Sequence, residues 1–222
     1  MNQKIPSLRL VVAMTSETAF LEVNGVPSVI RAIEGLRVFW PTLPLTIVVS
    51  PEFSSATFTL MQEHRVSHEM LLCNPSDSWE LQQALLADSS HCEGVIIHDA
   101  SRPLTHPELL VRLLAAFQTG VDAVRPSIAF TETLKIVKPD GVIRETLDRT
   151  SVKHISSPEI IRTSAFATST RHSNDEIAGW FVPLKKGSRL EHVEGAPEGL
   201  RINSEAERDL LESFLHWKQL NV

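Results

Sequence analysis

The sequence predicts an α/β fold with a mostly parallel sheet and helices on both of its faces. Two observations carry that prediction. Short apolar runs of strand length alternate with segments of helical period, and those segments are long enough to return the chain for a parallel pairing. The composition also supplies one full core. At 222 residues, 42% hydrophobic and 22% charged, the chain suits a single domain over 1–222 with no long disordered tract.

Taken in order, residues 8–14 form a short, mostly apolar run and read as a buried first strand. Residues 28–39 follow as a helix with Val29, Ile30, Ile33 and Leu36 on one stripe. A strand over 45–50 is closed by Pro51, and a helix over 55–63 and a strand over 67–72 come next. Residues 78–87 return to helical period through Leu81, Ala84 and Leu85, and 94–98 form a fourth buried strand ending in a polar cluster. Thr105 and Glu108 have capping-box spacing with Pro107 in the first turn. They predict a helix whose buried face holds Leu109, Leu110, Leu113, Leu114 and Phe117. A fifth strand covers 123–127.

The alternation then breaks. Residues 134–137 and 142–146 are β-like and flank Pro139-Asp140-Gly141, and Asp-Gly is a strong hairpin signal. A lone two-stranded hairpin is marginal in water, so residues 131–158 read as an arm lying on another surface, most simply that of a homodimer partner. Beyond the arm, 159–165 and 174–180 read as short helices and 190–193 as a strand. Ser204 with Glu207 opens a last helix that turns Leu210, Leu211, Phe214 and Leu215 inward.

Several function classes are set aside. The net charge of −6 comes without a dense Lys/Arg cluster, so nucleic acid is not an expected partner. The longest apolar runs, 10–14 and 94–97, are far too short for a bilayer. The first residues lack a signal-type stretch, and Cys73 and Cys92 lack C-x-x-C spacing. Both points lead to the expectation of a cytoplasmic protein. His64 and His68 have i,i+4 spacing without a third ligand nearby and read as a solvated helix end.

The most informative segment is Val95-Ile96-Ile97-His98-Asp99-Ala100-Ser101-Arg102-Pro103. Open parallel sheets bind ligands beyond the carboxyl ends of their strands. An Asp and an Arg just past such a strand suit a divalent metal and a phosphate; they equally suit a tightened strand-to-helix turn.

His98-Asp99-Ala100-Ser101-Arg102-Pro103 resembles the H-D-A-A-R-P motif of 2-C-methyl-D-erythritol 4-phosphate cytidylyltransferases, whose plan ribitol-5-phosphate cytidylyltransferases share. The likeness continues in order. Thr131-Glu132-Thr133-Leu134-Lys135 resembles the stretch around D-T-h-K (h apolar), Leu147-Asp148-Arg149 resembles V-D-R, and Ser157-Pro158-Glu159 stands where T-P-Q is usual. Asn174-Asp175-Glu176 stands for T-D-D, Val193-Glu194-Gly195 for V-E-G, and Asn203 closes a segment similar to N-h-K-h-T with Arg201 at the Lys.

The resemblance implies a Rossmann-like nucleotidyltransferase domain whose β-arm clasps a second subunit, with a sugar or polyol phosphate and CTP as ligands. It implies Asp99 and Arg102 as catalytic residues, Asp99 also holding Mg2+. Thr133, Arg149, Ser157, Asn174 and Arg201 would hold the acceptor, partly across the dimer, and Ala13, Met14, Thr18, Asn74 and Ala100 would surround the nucleotide.

The nucleotide side departs from that pattern. The family's first strand leads into A-A-G-x-G-x-R and a later Pro-Lys, whose backbone amides and cations hold the triphosphate. Here residues 11–21 contain no Gly, Arg or Lys, Thr18 stands at the Lys, and Glu17 adds negative charge. In place of G-G-x-x-R-x-x-S the chain has Cys73-Asn74-Pro75-Ser76-Asp77-Ser78-Trp79-Glu80. Three readings follow. The chain transfers CMP from CTP to a polyol phosphate. Or it binds a sugar phosphate or a sister subunit without turnover. Or it has a changed nucleotide or donor specificity, using a rebuilt loop with Thr15, Ser16 and Thr18 as hydroxyl donors. Lys4 or Arg9 could swing in to compensate for the missing cations.

Overall fold

The computed structural model describes residues 7–88, 92–167, 176–177 and 181–220. Strand β1 (Leu8–Ala13) leads through a short hairpin of β2 (Glu22–Val23) and β3 (Val26–Pro27) into helix α1 (Ser28–Phe39). There follow β4 (Leu45–Val49), α2 (Ser54–Glu63), β5 (Glu69–Leu72), α3 (Ser78–Asp88), β6 (Gly94–Asp99), α4 (Pro107–Gln118) and β7 (Ala123–Ala129). The second half holds β8 (Leu134–Val137), β9 (Ile143–Leu147), β10 (Lys153–Ile155), β11 (Glu159–Arg162), β12 (Glu176–Ile177), β13 (Leu184–Lys185), β14 (Leu190–Glu194) and α5 (Glu205–Leu220).

The main sheet runs β10-β7-β11-β6-β1-β4-β5, with β14 added to β7. Strands β6, β1, β4 and β5 are mutually parallel, as the alternation of strands and helices predicts. Along β1 the side chains alternate between two cores. Leu8, Leu10 and Val12 pack with Ile30, Ile33, Met61, Leu113 and Phe117 from α1, α2 and α4. Val11 and Ala13 face the other way, toward Leu81 and Leu85 of α3 and Phe166, Phe181 and Leu184. Both faces of the central strands are therefore covered.

The second half corrects several expectations. Residues 159–165 are not a helix. Glu159–Arg162 is a strand inserted antiparallel between β6 and β7, followed by a single 3-10 turn. Ile160 and Ile161 are both fully buried, and two adjacent β-branched residues suit a strand covered on both faces. Gly94 permits the close pairing, since a Cβ there would lie 2.9 Å from the Ile161 carbonyl oxygen. The helix expected over 174–180 meets a short strand at 176–177, and its other residues lie outside the described ones.

The hairpin forms where Asp-Gly placed it. Gly141 turns at φ +83°, and Asp140 Oδ1 accepts from the Val142 amide at 3.0 Å. The separate two-stranded sheet of β8 and β9 spans 134–147, narrower than 131–158, because 153–155 return to the main sheet on β7.

Thr105 does not cap α4. His106 holds that position, and the Thr105 hydroxyl lies 3.4 Å from His98 Nε2 instead. At α5 the Glu207 amide donates to Ser204 Oγ at 3.3 Å, and the Glu207 carboxylate accepts from the Asn203 amide at 2.5 Å. Leu211 is buried there, but Leu210 is 64% exposed and does not face inward.

Candidate active site

The carboxyl ends of β1 and β6 lie side by side, with Ala13 in register with Asp99. That pairing continues into the following turns, where the Ala100 amide donates to the Ala13 carbonyl and the Met14 amide to Val48, both at 2.9 Å. Parallel strands thus deliver two loops, 14–18 and 99–105, to one place.

Asp99 is the hub. It is 1% exposed, and both carboxylate oxygens are engaged. Oδ1 accepts from the Thr15 hydroxyl and from the Ser101 amide, each at 3.0 Å. Oδ2 accepts from Arg201 Nε at 2.8 Å in an ion pair whose arginine side chain is 27% exposed. The same guanidinium donates to Thr15 Oγ1 at 3.1 Å, to Ser16 Oγ at 3.4 Å and to the Asn203 side-chain oxygen. Arg201 therefore faces the loop after β1, where the resemblance puts the nucleotide rather than the acceptor.

The hydroxyls of that loop are spent on protein partners. Thr15 donates to a carboxylate, and Thr18 donates to the Ile202 carbonyl at 2.8 Å while lying 3.0 Å from Ser101 Oγ. Ser16 Oγ lies 2.7 Å from Thr18 Oγ1 and 3.1 Å from Ser101 Oγ. Ser76 closes the loop from outside by donating to the Thr15 carbonyl at 2.9 Å. Asn74 is exposed, its amide donating to Glu80 and its side-chain oxygen accepting from the Ser76 amide, both at 3.0 Å. Asp77, at the family's Arg position, caps α3 by accepting from the Trp79 and Glu80 amides at 3.0 and 3.2 Å.

A buried relay supports Asp99 from below. His98 Nε2 lies 2.9 Å from the Arg102 carbonyl, an acceptor, so Nε2 carries the proton and Nδ1 accepts. Ser157 Oγ then donates to His98 Nδ1 at 3.0 Å and accepts from the Asp99 amide at 3.2 Å. Burial lowers the His98 pKa to about 4, so the ring is neutral near pH 7, as this single tautomer requires. Arg102 is also buried, at 1% exposure, and donates from Nη1 to the Gly199 carbonyl at 2.5 Å. It holds the turn that leads into Arg201, and burial lowers its pKa, with Asp99 opposing that shift.

Thr133 and Arg149 sit apart on the exposed arm, where Arg149 donates to the Thr131 carbonyl at 2.5 Å. Asn174 lies outside the described residues. Arg9 is no substitute cation for the loop. It lies at the opposite end of β1, ion-paired with Glu69 and Asp88. The expected Mg2+ meets an Asp99 with both oxygens occupied, and no group of three His, Cys, Asp or Glu side chains able to hold a metal stands among the described residues. The residues present do not fit a resident divalent ion unless Arg201 first leaves.

Sequence reasoning missed Ser101, Ser76 and Asn203 as members of this cluster. Ser101, standing at the second Ala of H-D-A-A-R-P, was the one available signal.

An α/β sheet with an acid-cation pair beyond its central strands, plus a projecting hairpin, defines a ligand-binding open-sheet protein whose site lies at those strand ends. The comparisons narrow that class. The family model for 2-C-methyl-D-erythritol 4-phosphate cytidylyltransferase matches residues 11–215, and the chain belongs to that family. The enzyme of that name from Rhodococcus opacus (strain B4) is 27% identical over 191 residues, covering 84% of this chain and 81% of that protein. The one from Nocardia farcinica (strain IFM 10152) is 26% identical over 205 residues, covering 90% and 86%. Among solved structures, 4-diphosphocytidyl-2C-methyl-D-erythritol synthase from Anaerococcus prevotii DSM 20548 superposes with a TM-score of 0.74 at 13% identity, over 96% of this chain and 100% of that one. The fold expectation, a Rossmann-like nucleotidyltransferase domain, therefore holds.

Proposed function

We propose that this chain transfers CMP from CTP to 2-C-methyl-D-erythritol 4-phosphate, a step of isoprenoid precursor synthesis, and that it does so slowly. The observation that carries the reading is the Arg201–Asp99 pair at the carboxyl ends of β1 and β6, against the loop where the triphosphate belongs. In this reaction an acceptor phosphate oxygen attacks the α-phosphorus in line. A new P–O bond forms as the bond to pyrophosphate breaks, and pyrophosphate leaves with its electrons. Arg201 supplies positive charge beside the α-phosphate. Arg102 keeps the turn before Arg201 in place, and the Ser157–His98 relay fixes the backbone of Asp99. Thr133 and Arg149 contribute acceptor contacts from the arm of a second copy. The arm's exposed Val137, Val142 and Ile143 support such a homodimer.

Slowness follows from the missing groups. Each preorganised charge-stabilising group is worth roughly 3–4 kcal/mol, so two absent cations cost on the order of 6 kcal/mol if additive. Arg201, already balanced by Asp99, offsets only part of that loss.

The second reading is a member that binds the acceptor, or a sister subunit, without turnover. Residues 11–21, with no Gly, Arg or Lys and with Glu17 exposed, favour it. Product analysis with protein in excess over CTP separates the two. The proposal expects slow, acceptor-dependent release of pyrophosphate, reduced at least tenfold in Arg201→Ala. Acceptor binding with no product after prolonged incubation selects the second reading.

A further inference from the structure

We infer that Arg201 is a built-in counter-cation for Asp99, so that this site binds polyphosphate anions without a divalent metal. The inference rests on the reading of this site as a phosphate site, and extends it to how the site's charge is set.

The geometry is specific. Asp99 is the carboxylate that a divalent ion would use, and it is almost wholly enclosed. Magnesium takes one or two carboxylate oxygens together with substrate phosphates and waters. Here Oδ1 is filled by a hydroxyl and an amide, and Oδ2 by a charge-assisted bond from Arg201 at 2.8 Å. A metal could reach Oδ2 only by displacing a guanidinium that is also anchored to Thr15, Ser16 and Asn203. Those anchors lie on two separate segments, 15–16 and 203, so displacement would break several bonds at once. Arginine stays charged at any physiological pH, and its fork matches a phosphate bidentately. Its 27% exposure leaves one Nη1 hydrogen uncommitted for an arriving anion, and the bonds to the Thr15 and Ser16 hydroxyls are those a phosphate could replace.

The charge count points the same way. Arg201 neutralises Asp99, and the guanidinium of Arg102 lies close enough for both Asp99 and Arg201 to act on it. Two guanidiniums thus face one enclosed carboxylate, with Glu17 exposed on the adjoining loop, so the positive charge of the cluster comes from side chains and not from a metal. An arginine in place of the family's lysine is therefore not a neutral exchange. The planar fork bridges Asp99 and the loop hydroxyls at the same time, which a point-like ammonium on a flexible stem does not do as well.

The test uses the whole protein and inorganic pyrophosphate as the probe, read by calorimetry in EDTA, with manganese binding read separately by electron paramagnetic resonance. The inference expects saturable pyrophosphate binding in EDTA. In Arg201→Ala that binding falls at least tenfold, while a protein-bound Mn2+ signal absent from the parent appears. The Asp99→Asn/Arg201→Ala double variant loses the Mn2+ signal and shows that Asp99 is the ligand uncovered. Pyrophosphate binding that requires metal in the parent overturns the inference, as does its absence under all conditions, or a parent that binds Mn2+ at Asp99. None of these readouts depends on turnover, so a protein that forms no product yet binds pyrophosphate in EDTA defeats the proposed reaction and keeps this inference.

Discussion

Two arginine–carboxylate pairs involve strands of the main sheet, and they teach different things. Arg125 on β7 and Glu159 on β11 meet through one contact of 2.6 Å, with side chains 6% and 1% exposed. Glu159 Oε2 and Arg125 Nε are buried without a hydrogen-bond partner, and burial raises the Glu159 pKa while Arg125 lowers it. Arg201 and Asp99 meet at 2.8 Å, but the arginine is 27% exposed and has further partners on the loop. The first pair is enclosed in the sheet and can only be structural. The second has a solvent-facing cation, can exchange partners, and sits where strands end.

Breaking each pair should therefore cost different amounts. Glu159→Ala leaves the Arg125 charge buried and alone, and should destabilise the fold by about 3–5 kcal/mol in urea unfolding. Arg125→Met with Glu159→Leu should recover most of that loss, because no uncompensated charge remains.

The relay under Asp99 gives the next largest effect. The His98 pKa is held at about 4, below its ordinary 6.5. Its contribution to stability is thus fully present above about pH 6.5 and is lost as pH falls toward 4. At pH 5 the loss should be about 2 kcal/mol relative to pH 7. The slope of stability against pH between 7 and 5 should flatten in His98→Gln, whatever that substitution does to stability at pH 7.

Arg201→Ala should cost about 2 kcal/mol of stability, less than Glu159→Ala, because Asp99 loses a charge-assisted partner but keeps the Thr15 hydroxyl and the Ser101 amide. A loss as large as that of Glu159→Ala would mean the two pairs are both structural. The smallest effect is expected at the arm. Gly141→Ala strains a turn at φ +83° and should open the hairpin by about 1 kcal/mol, read as faster hydrogen exchange at Val142. The global melting transition should not move, since β8 and β9 form their own sheet.

What the sequence made legible was local. The run from Val95 to Pro103 announces a strand ending in an acid and a cation, because strand, turn and chemistry are contiguous there. The Asp-Gly turn placed the arm for the same reason. Glu159–Arg162 was misread because four residues carry no period, and only the gap between β6 and β7 makes them a strand. Arg102 gave no sign in the sequence that it would be buried and donate to the carbonyl of Gly199, far along the chain. Arg201 gave no hint that it would reach back to Thr15 and Ser16, since that contact exists only once both loops are brought together beyond the sheet.

The measurement that bears most directly on the account is a calorimetric titration of CTP into the parent protein and into Arg201→Ala. The account predicts weak but saturable binding to the parent and at least a tenfold loss in the variant, because the pair at Asp99 supplies the loop's cation. Equal binding by both proteins, or none by the parent, would contradict it.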